Sequence, residues 1–208
     1  MRLSSQLAGR AGDLVAGGGR RILGIAGAPG AGKSTLAREL VDALAGDAVL
    51  VPMDGFHLAQ AELERLGRTH RKGAPDTFDV EGYLALLARL RSPAPGVTVY
   101  APSFDRDLEE PVAGSIAVPP DVPLVVTEGN YLLHDDGPWA RVRPLLDEVW
   151  YLELDRDVRV RRLVERHVAH GKERAAAERW VARSDEANAR LVAPGRHRAD
   201  RVVRPSAP

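Results

Sequence analysis

Cysteine is absent from the 208 residues. That excludes disulfides, thiolate zinc sites and a cysteine nucleophile, and it agrees with a reducing cytosol as the setting. No apolar stretch approaches the roughly 20 residues that cross a bilayer, and the N-terminus lacks the apolar segment of a secretion signal. A cytoplasmic protein without a membrane partner is therefore expected. Excess charge is missing too: Lys and Arg number 29, as do Asp and Glu, so no global field recruits nucleic acid or an anionic surface. The expected partner is a small molecule, and a homodimer is compatible with this composition. Lysine is scarce. Only Lys33, Lys72 and Lys172 occur, and none lies in the N/T-K-x-D signature common among guanine-selective switches. No internal repeat is visible, and low complexity is confined to Gly17-Gly18-Gly19 and the Pro-containing tail after Arg204.

What is present points to one α/β domain over residues 1–208: at 44% apolar composition a chain of this length buries roughly 70% of its unfolded surface. The informative stretch runs from Arg21 to Thr35. Ile22–Ala26 has the length and β-branched content of a buried strand, and Lys33 opens a helix with Leu36, Leu40, Val41 and Leu44 on one face. Between them Gly27, Ala28, Pro29, Gly30, Ala31, Gly32, Lys33, Ser34 and Thr35 contain G-x-x-x-x-G-K-[ST]. Its glycines let backbone N–H groups curl around phosphate oxygens without a Cβ in the way. The helix N-terminus favours an anion, Lys33 adds a full charge for the β/γ-phosphates, and the Ser34 hydroxyl is placed for Mg²⁺. A dinucleotide fingerprint does not fit, because Ala26, Pro29 and Thr35 occupy places that G-x-G-x-x-G needs. The expected ligand is a nucleoside triphosphate.

Periodicity orders the remainder. Residues 4–16 read as a helix capped by Ser4 or Ser5, and Ala48–Met53 as a strand that Pro52 places at a sheet edge or stops from pairing there. A charged helical piece covers 59–71, and Asp79 caps a helix carrying Val80, Tyr83, Leu84, Leu87 and Leu90. Val97–Tyr100 and Ser115–Val118 are β-like and bracket polar residues 103–107, a hairpin-like excursion. Leu124–Gly129 is a near-continuous apolar run closing on Glu128, the mark of a strand buried on both faces. Val149–Leu154 and Arg201–Val203 add strands, so strands alternate with helices in right-handed parallel crossovers. Asp155 caps a helix through His170, a second helix spans about 173–192, and the two form a helical lid over roughly 156–192.

Phosphoryl transfer to an alcohol needs a positioned proton acceptor and extra cations. Asp54, at a strand end beside the glycine loop, suits the first role, with a turn cap as its plainer reading. Glu128 suits a metal shell. Arg162 and Arg166 suit phosphate clamps, against a merely solvated helix face. Candidates for the acceptor pocket are Phe56, His57, Phe78, Tyr100, Tyr131, Asp105 and Arg106; the aromatics fit a core equally well, and Asp105 and Arg106 fit a mutual pair.

Taken together, the chain resembles the phosphoribulokinase/uridine kinase/bacterial pantothenate kinase family of P-loop kinases. The likeness rests on the glycine loop, Met53-Asp54-Gly55-Phe56-His57, residues 71–79 (RKGAPDTFD), Thr127-Glu128-Gly129 and residues 196–200 (RHRAD). Residues 71–79 are more similar to pantothenate kinase than to uridine kinase. The chain as a whole is more similar to small nucleoside/nucleotide kinase-like or fructose-transport-system kinase members. The resemblance implies a three-layer P-loop NTPase fold with a five-stranded parallel sheet, first strand central and second at the edge. It also implies Mg²⁺ and ATP as cofactors, Lys33 and the loop amides on the triphosphate, Ser34 and Glu128 at magnesium, Asp54 as base, and Arg162 and Arg166 reaching the phosphates. A small hydroxyl compound (a nucleoside, a sugar or a pantothenate-like alcohol) would accept the phosphoryl group; a nucleotide-switched binding protein is the alternative.

Overall fold

The computed structural model describes residues 3–205, so the end of the Pro-containing tail lies outside the described residues. The Ser4 hydroxyl accepts from the Leu7 N–H at 3.3 Å and starts helix α1 (Ser5–Ala16). Strand β1 (Arg21–Ala26) follows, buried from Ile22 onward. Helix α2 (Lys33–Ala43), strand β2 (Ala48–Leu50) and the short helix α3 (Gln60–Arg65) come next. Helix α4 (Val80–Arg91) begins as the sequence predicts, with the Asp79 carboxylate accepting from the Gly82 N–H at 2.9 Å. Strands β3 (Val99–Asp105) and β4 (Glu110–Val118) form an antiparallel hairpin, and β5 (Leu124–Gly129) and β6 (Glu148–Leu152) return to the main sheet. Helix α5 (Arg156–Ala169), capped by Asp155, is followed by α6 (Arg174–Trp180), α7 (Glu186–Val192) and strand β7 (Arg201–Val203).

The main sheet has the order β2-β5-β1-β6-β7, and its pairings are parallel. β1 is central and β2 lies at the edge. Alternation along the strands splits the core into two layers. Ile22, Val125, Val149 and Tyr151 face α4, with Tyr83, Leu87 and Leu90, whereas Leu23, Ile25, Val126 and Trp150 face α1 and α2, with Ala11, Leu36 and Leu40. Register then places the site: Ala26 pairs with Gly129 on one side and Tyr151 on the other. Gly27 and Asn130 therefore leave the sheet at one rim, the carboxyl end where open α/β sheets bind ligands.

Several elements differ from expectation: the helix read over 59–71 is α-helical only to Arg65, and β4 begins at Glu110 rather than Ser115. β2 ends three residues before Met53: the Val51 N–H still donates to Val126 O at 2.8 Å, Pro52 has no donor, and the chain tightens into a 3₁₀ turn over Met53–Phe56. The polar residues read as a loop, Ser103 to Asp105, belong to β3, whose register shifts between Ala101 and Ser103, at Pro102. A Cβ at Gly55 would overlap the Pro102 carbonyl, so only glycine lets the hairpin lie against the 3₁₀ turn that carries Asp54. The second lid helix is interrupted by a π turn over Val181–Asp185.

One buried polar pair ties the layers together. The Tyr83 and Thr127 hydroxyls lie 2.7 Å apart with both residues fully buried, and burial raises the Tyr83 pKa. Tyr83→Phe leaves the Thr127 hydroxyl unpaired and is expected to lower stability by about 1–2 kcal/mol. A urea midpoint shifted down at constant m is the readout, and an unmoved midpoint would show that the pair contributes nothing.

Candidate active site

The rim opens into a cleft of about 600 Å³ between the glycine loop, the hairpin and the lid. Gly30 is left-handed, with φ 78, and a Cβ there would sit 2.9 Å from Leu163 Cγ and 3.0 Å from the Arg159 carbonyl. The loop curls as its motif requires, with α5 packed directly on its back. Lys33 is buried; its Nζ donates to the Ala28 carbonyl at 3.1 Å and to Asn130 Oδ1 at 2.7 Å. Burial lowers its pKa, opposed by the negative charges of Glu128 and Asp54. The Ser34 hydroxyl donates to Glu128 Oε1 at 2.7 Å. Burial raises the Glu128 pKa, the Asp54 charge raises it further, and Lys33 pulls it back.

Asp54 occupies the 3₁₀ turn after β2, with its side chain 31% exposed and Oδ2 3.4 Å from Arg106 Nη2 of the hairpin turn. The His57 ring Nδ1 lies 2.8 Å from the Asp54 carbonyl. That ring packs 4.1 Å from Phe78 and 4.8 Å from Phe104, centroid to centroid, and its burial lowers its pKa.

Of the residues expected at the site, Pro29, Gly30, Lys33, Ser34, Asp54, His57, Phe78, Arg106, Glu128 and Arg166 line the cleft. Gly27, Ala28 and Ala31 sit buried behind the loop, and Thr35 faces out on α2. The guanidinium of Arg162 lies beside Gly32, outside the cleft lining, 3.7 Å from where a Cβ on that glycine would stand. Four residues fall elsewhere. Phe56 packs in the core against Tyr83, ring centroids 5.1 Å apart. Tyr131 is also core, its hydroxyl donating to the Gly73 carbonyl at 2.5 Å. Tyr100 is 60% exposed on the hairpin. Asp105 caps the hairpin turn, accepting from the Asp107 and Leu108 N–H groups at 2.9 and 3.0 Å, and Arg106 pairs with Asp54 instead. An aromatic beside a strand end reads alike for core and pocket, and only packing separates them.

Other residues join the site without having been singled out. Asn130, two positions past Glu128, holds Lys33. Arg159, on the same helix as Arg162 and Arg166, is buried. It donates to the Pro29 carbonyl at 3.1 Å and pairs with Glu186 at 3.1 Å. The π turn brings Asp185 to 3.0 Å from the His167 ring, and Asn188 donates to the Gly73 carbonyl at 3.2 Å. An i→i+5 turn has no composition signal, so these contacts were not readable from spacing.

Among the described residues no cluster of three or more His, Asp or Glu makes a protein-only metal cage, and no helix is long and apolar enough to cross a membrane. One hydroxyl and one buried carboxylate at a phosphate loop are the donor set Mg²⁺ takes when substrate phosphates and water complete its shell. The residues present fit that ion.

Comparison with known proteins agrees with this geometry. The model of the Phosphoribulokinase / Uridine kinase family matches residues 22–207. An ATP-dependent kinase-like protein of Aspergillus versicolor is 39% identical over 66% of this chain and 84% of its own. The uridine kinase of Halobacterium salinarum is 29% identical over 87% and 78%. A crystal structure from Silicibacter sp. TM1040, described as a putative fructose transport system kinase, superposes with a TM-score of 0.86 at 36% identity, covering 96% of this chain and all of the other. The five-stranded parallel sheet, the glycine loop and the family match over residues 22–207 agree, and the chain belongs to the phosphoribulokinase/uridine kinase family of ATP-dependent small-molecule kinases.

Proposed function

We propose that this kinase transfers the γ-phosphoryl group of Mg·ATP to a hydroxyl of a small metabolite, with Asp54 as the group that orients the alcohol and takes its proton. The observation that carries this reading is that Asp54 shares one cleft with Lys33, Ser34 and Glu128 and is close enough that its charge acts on both Lys33 and Glu128. The loop amides and Lys33 hold the β- and γ-phosphates. Ser34 and Glu128 would hold magnesium, which when bound neutralises charge on the β- and γ-phosphate oxygens. Lys33 leaves Asn130 Oδ1 for phosphate oxygens as the nucleotide enters. The acceptor oxygen attacks the γ-phosphorus in line, the bond to the β–γ bridging oxygen breaks, and the hydroxyl proton passes to the Asp54 carboxylate. Arg166 approaches the transferred group from the lid, and Arg162, beside Gly32, supports the loop side. Lid closure excludes water.

The test is ADP release from Mg·ATP with and without pooled nucleosides, sugars and hydroxy acids. Stimulation by an acceptor over a slow basal hydrolysis is the expected result. Nucleotide binding that no acceptor turns into turnover would favour a switch and sink the transferase reading.

A further inference from the structure

All three lysines of the chain line the cleft, while arginine supplies every other basic side chain of the 29. An ammonium is a compact, strongly hydrated charge with three rotatable donors, so its place in a closed cleft calls for a partner. Lys33 has the phosphate loop. Lys172 stands over Trp180 on the lid, its Nζ 5.3 Å from the ring centroid. Lys72 belongs to the acceptor side: its Nζ is 5.3 Å from the Phe104 centroid, and Arg106 Cζ is 5.7 Å from the same ring.

The side chain of Lys72 is only 18% exposed, yet among the described residues it makes one hydrogen bond, to the Glu109 carbonyl at 2.8 Å. Its ion pair with the Glu109 carboxylate is long, 3.8 Å, and that carboxylate is 59% exposed, so the pair is weak. Glu110, the next acid in the lining, is turned to the Gln60 N–H, which donates to both its oxygens at 3.0 and 3.1 Å; it forms no ion pair with Lys72 among the described residues. Arg106 is half-exposed, and its contact with Asp54 is long at 3.4 Å, which leaves the guanidinium free to turn to another acceptor. Two cations with unused donors thus meet on one ring, and that ring packs on His57, which is bonded to the Asp54 backbone. A neutral acceptor would leave the largely buried Lys72 with only the weak Glu109 pair as counter-charge.

We infer that Lys72 and Arg106 bind an anionic group of the acceptor, a carboxylate or a phosphate ester, so that the alcohol phosphorylated here is an anion rather than a neutral nucleoside or polyol. The inference rests on the kinase reading of the cleft and specifies its substrate class. Because Arg106 reaches both the ring and Asp54, the anion sits a few bonds from the reacting hydroxyl, which describes a short hydroxy acid or sugar phosphate.

The experiment measures ADP release at saturating Mg·ATP with acceptors differing in the anion: glycerol against glycerate and glycerol 3-phosphate, and ribose against ribonate and ribose 5-phosphate. Stimulation by the charged members alone is expected, and which anion works separates carboxylate from phosphate ester. Lys72→Met should raise the acceptor KM about tenfold or more while the ATP KM stays within about twofold, and Lys72→Arg should keep most of the affinity. A second arm titrates inorganic phosphate into protein whose loop is filled by a non-hydrolysable ATP analogue. Wild type should bind at roughly millimolar concentration, with Lys72→Met and Arg106→Gln weakened about tenfold. Equal stimulation by neutral and charged members, or unchanged phosphate binding in Lys72→Met, overturns the anion site and leaves the kinase standing. Absence of stimulation by any pair speaks against the kinase reading instead, and the phosphate titration then still decides the cation pair.

Discussion

Asp54→Asn is expected to lower kcat by about 10²- to 10⁴-fold, the range for loss of a positioned general base, while the ATP KM stays within a factor of about three. The amide keeps the shape of the side chain and loses the charge that accepts the proton. Its structural cost is small, because the carboxylate is 31% exposed and its one ion pair, with Arg106, is long at 3.4 Å; pairs of this kind contribute at most about 1 kcal/mol. The split between kcat and KM is therefore the decisive readout. On the proposed reading the Asp54 carboxylate serves the alcohol and not the triphosphate, so the loop should bind nucleotide as before. If kcat and ATP affinity fell together, Asp54 would be part of the nucleotide site, and the acceptor-side assignment would fail.

The second large effect is expected at Lys33. On the proposed reading Lys33→Met removes a charge directed at the triphosphate, and a single preorganised electrostatic contact of that kind is worth about 10²- to 10³-fold in rate. Here kcat/KM for ATP should fall, in contrast to the Asp54 variant. The fold should tolerate the change. Burial lowers the Lys33 pKa, so the charged amine weakens the nucleotide-free fold at pH values below its folded pKa. That cost declines as pH rises from the folded pKa towards the ordinary lysine value and is gone only above the latter, so at neutral pH methionine is relieved of it. Against this, Glu128 loses the cation that pulls its own pKa down, so its carboxyl rises further. The two effects oppose each other, and Tm should move by no more than about 4 °C, the equivalent of 1–2 kcal/mol in a domain of this size. A large drop in Tm together with the activity loss would mark Lys33 as a structural residue of the loop. Full activity would remove it from catalysis.

Both variants act on residues that local pattern had already placed. The glycine loop was legible because a strand, a bend and a helix start each leave their own composition in consecutive residues. The Asp79 and Asp155 caps were legible because capping is a short-range hydrogen bond, and the interior strand β5 because a strand buried on both faces is largely apolar. Even the edge position of β2 followed from Pro52, which cannot donate to a ladder. The arrangement of the acceptor side was not legible in this way. Tyr100 and Phe104 are both aromatics of β3, yet one is 60% exposed and the other lines the cleft; the register shift at Pro102, set by contact with Gly55, intervenes between them. The burial of Arg159 was equally hidden, because its partners Pro29 and Glu186 are remote in sequence.

The sequence by itself thus determined the glycine loop, the carboxylate ending β5 and most of the order of strands and helices, since each depends on interactions within a few residues, whereas Asp54 sits in a turn past the end of β2 rather than at its strand end. Only the tertiary structure decided which side chains close the cleft. Lys72 and Arg106 meet on Phe104, Asn188 reaches Gly73 and Arg159 locks the lid to the loop through contacts between distant segments. Such contacts are set by packing and register, which one-dimensional spacing does not encode.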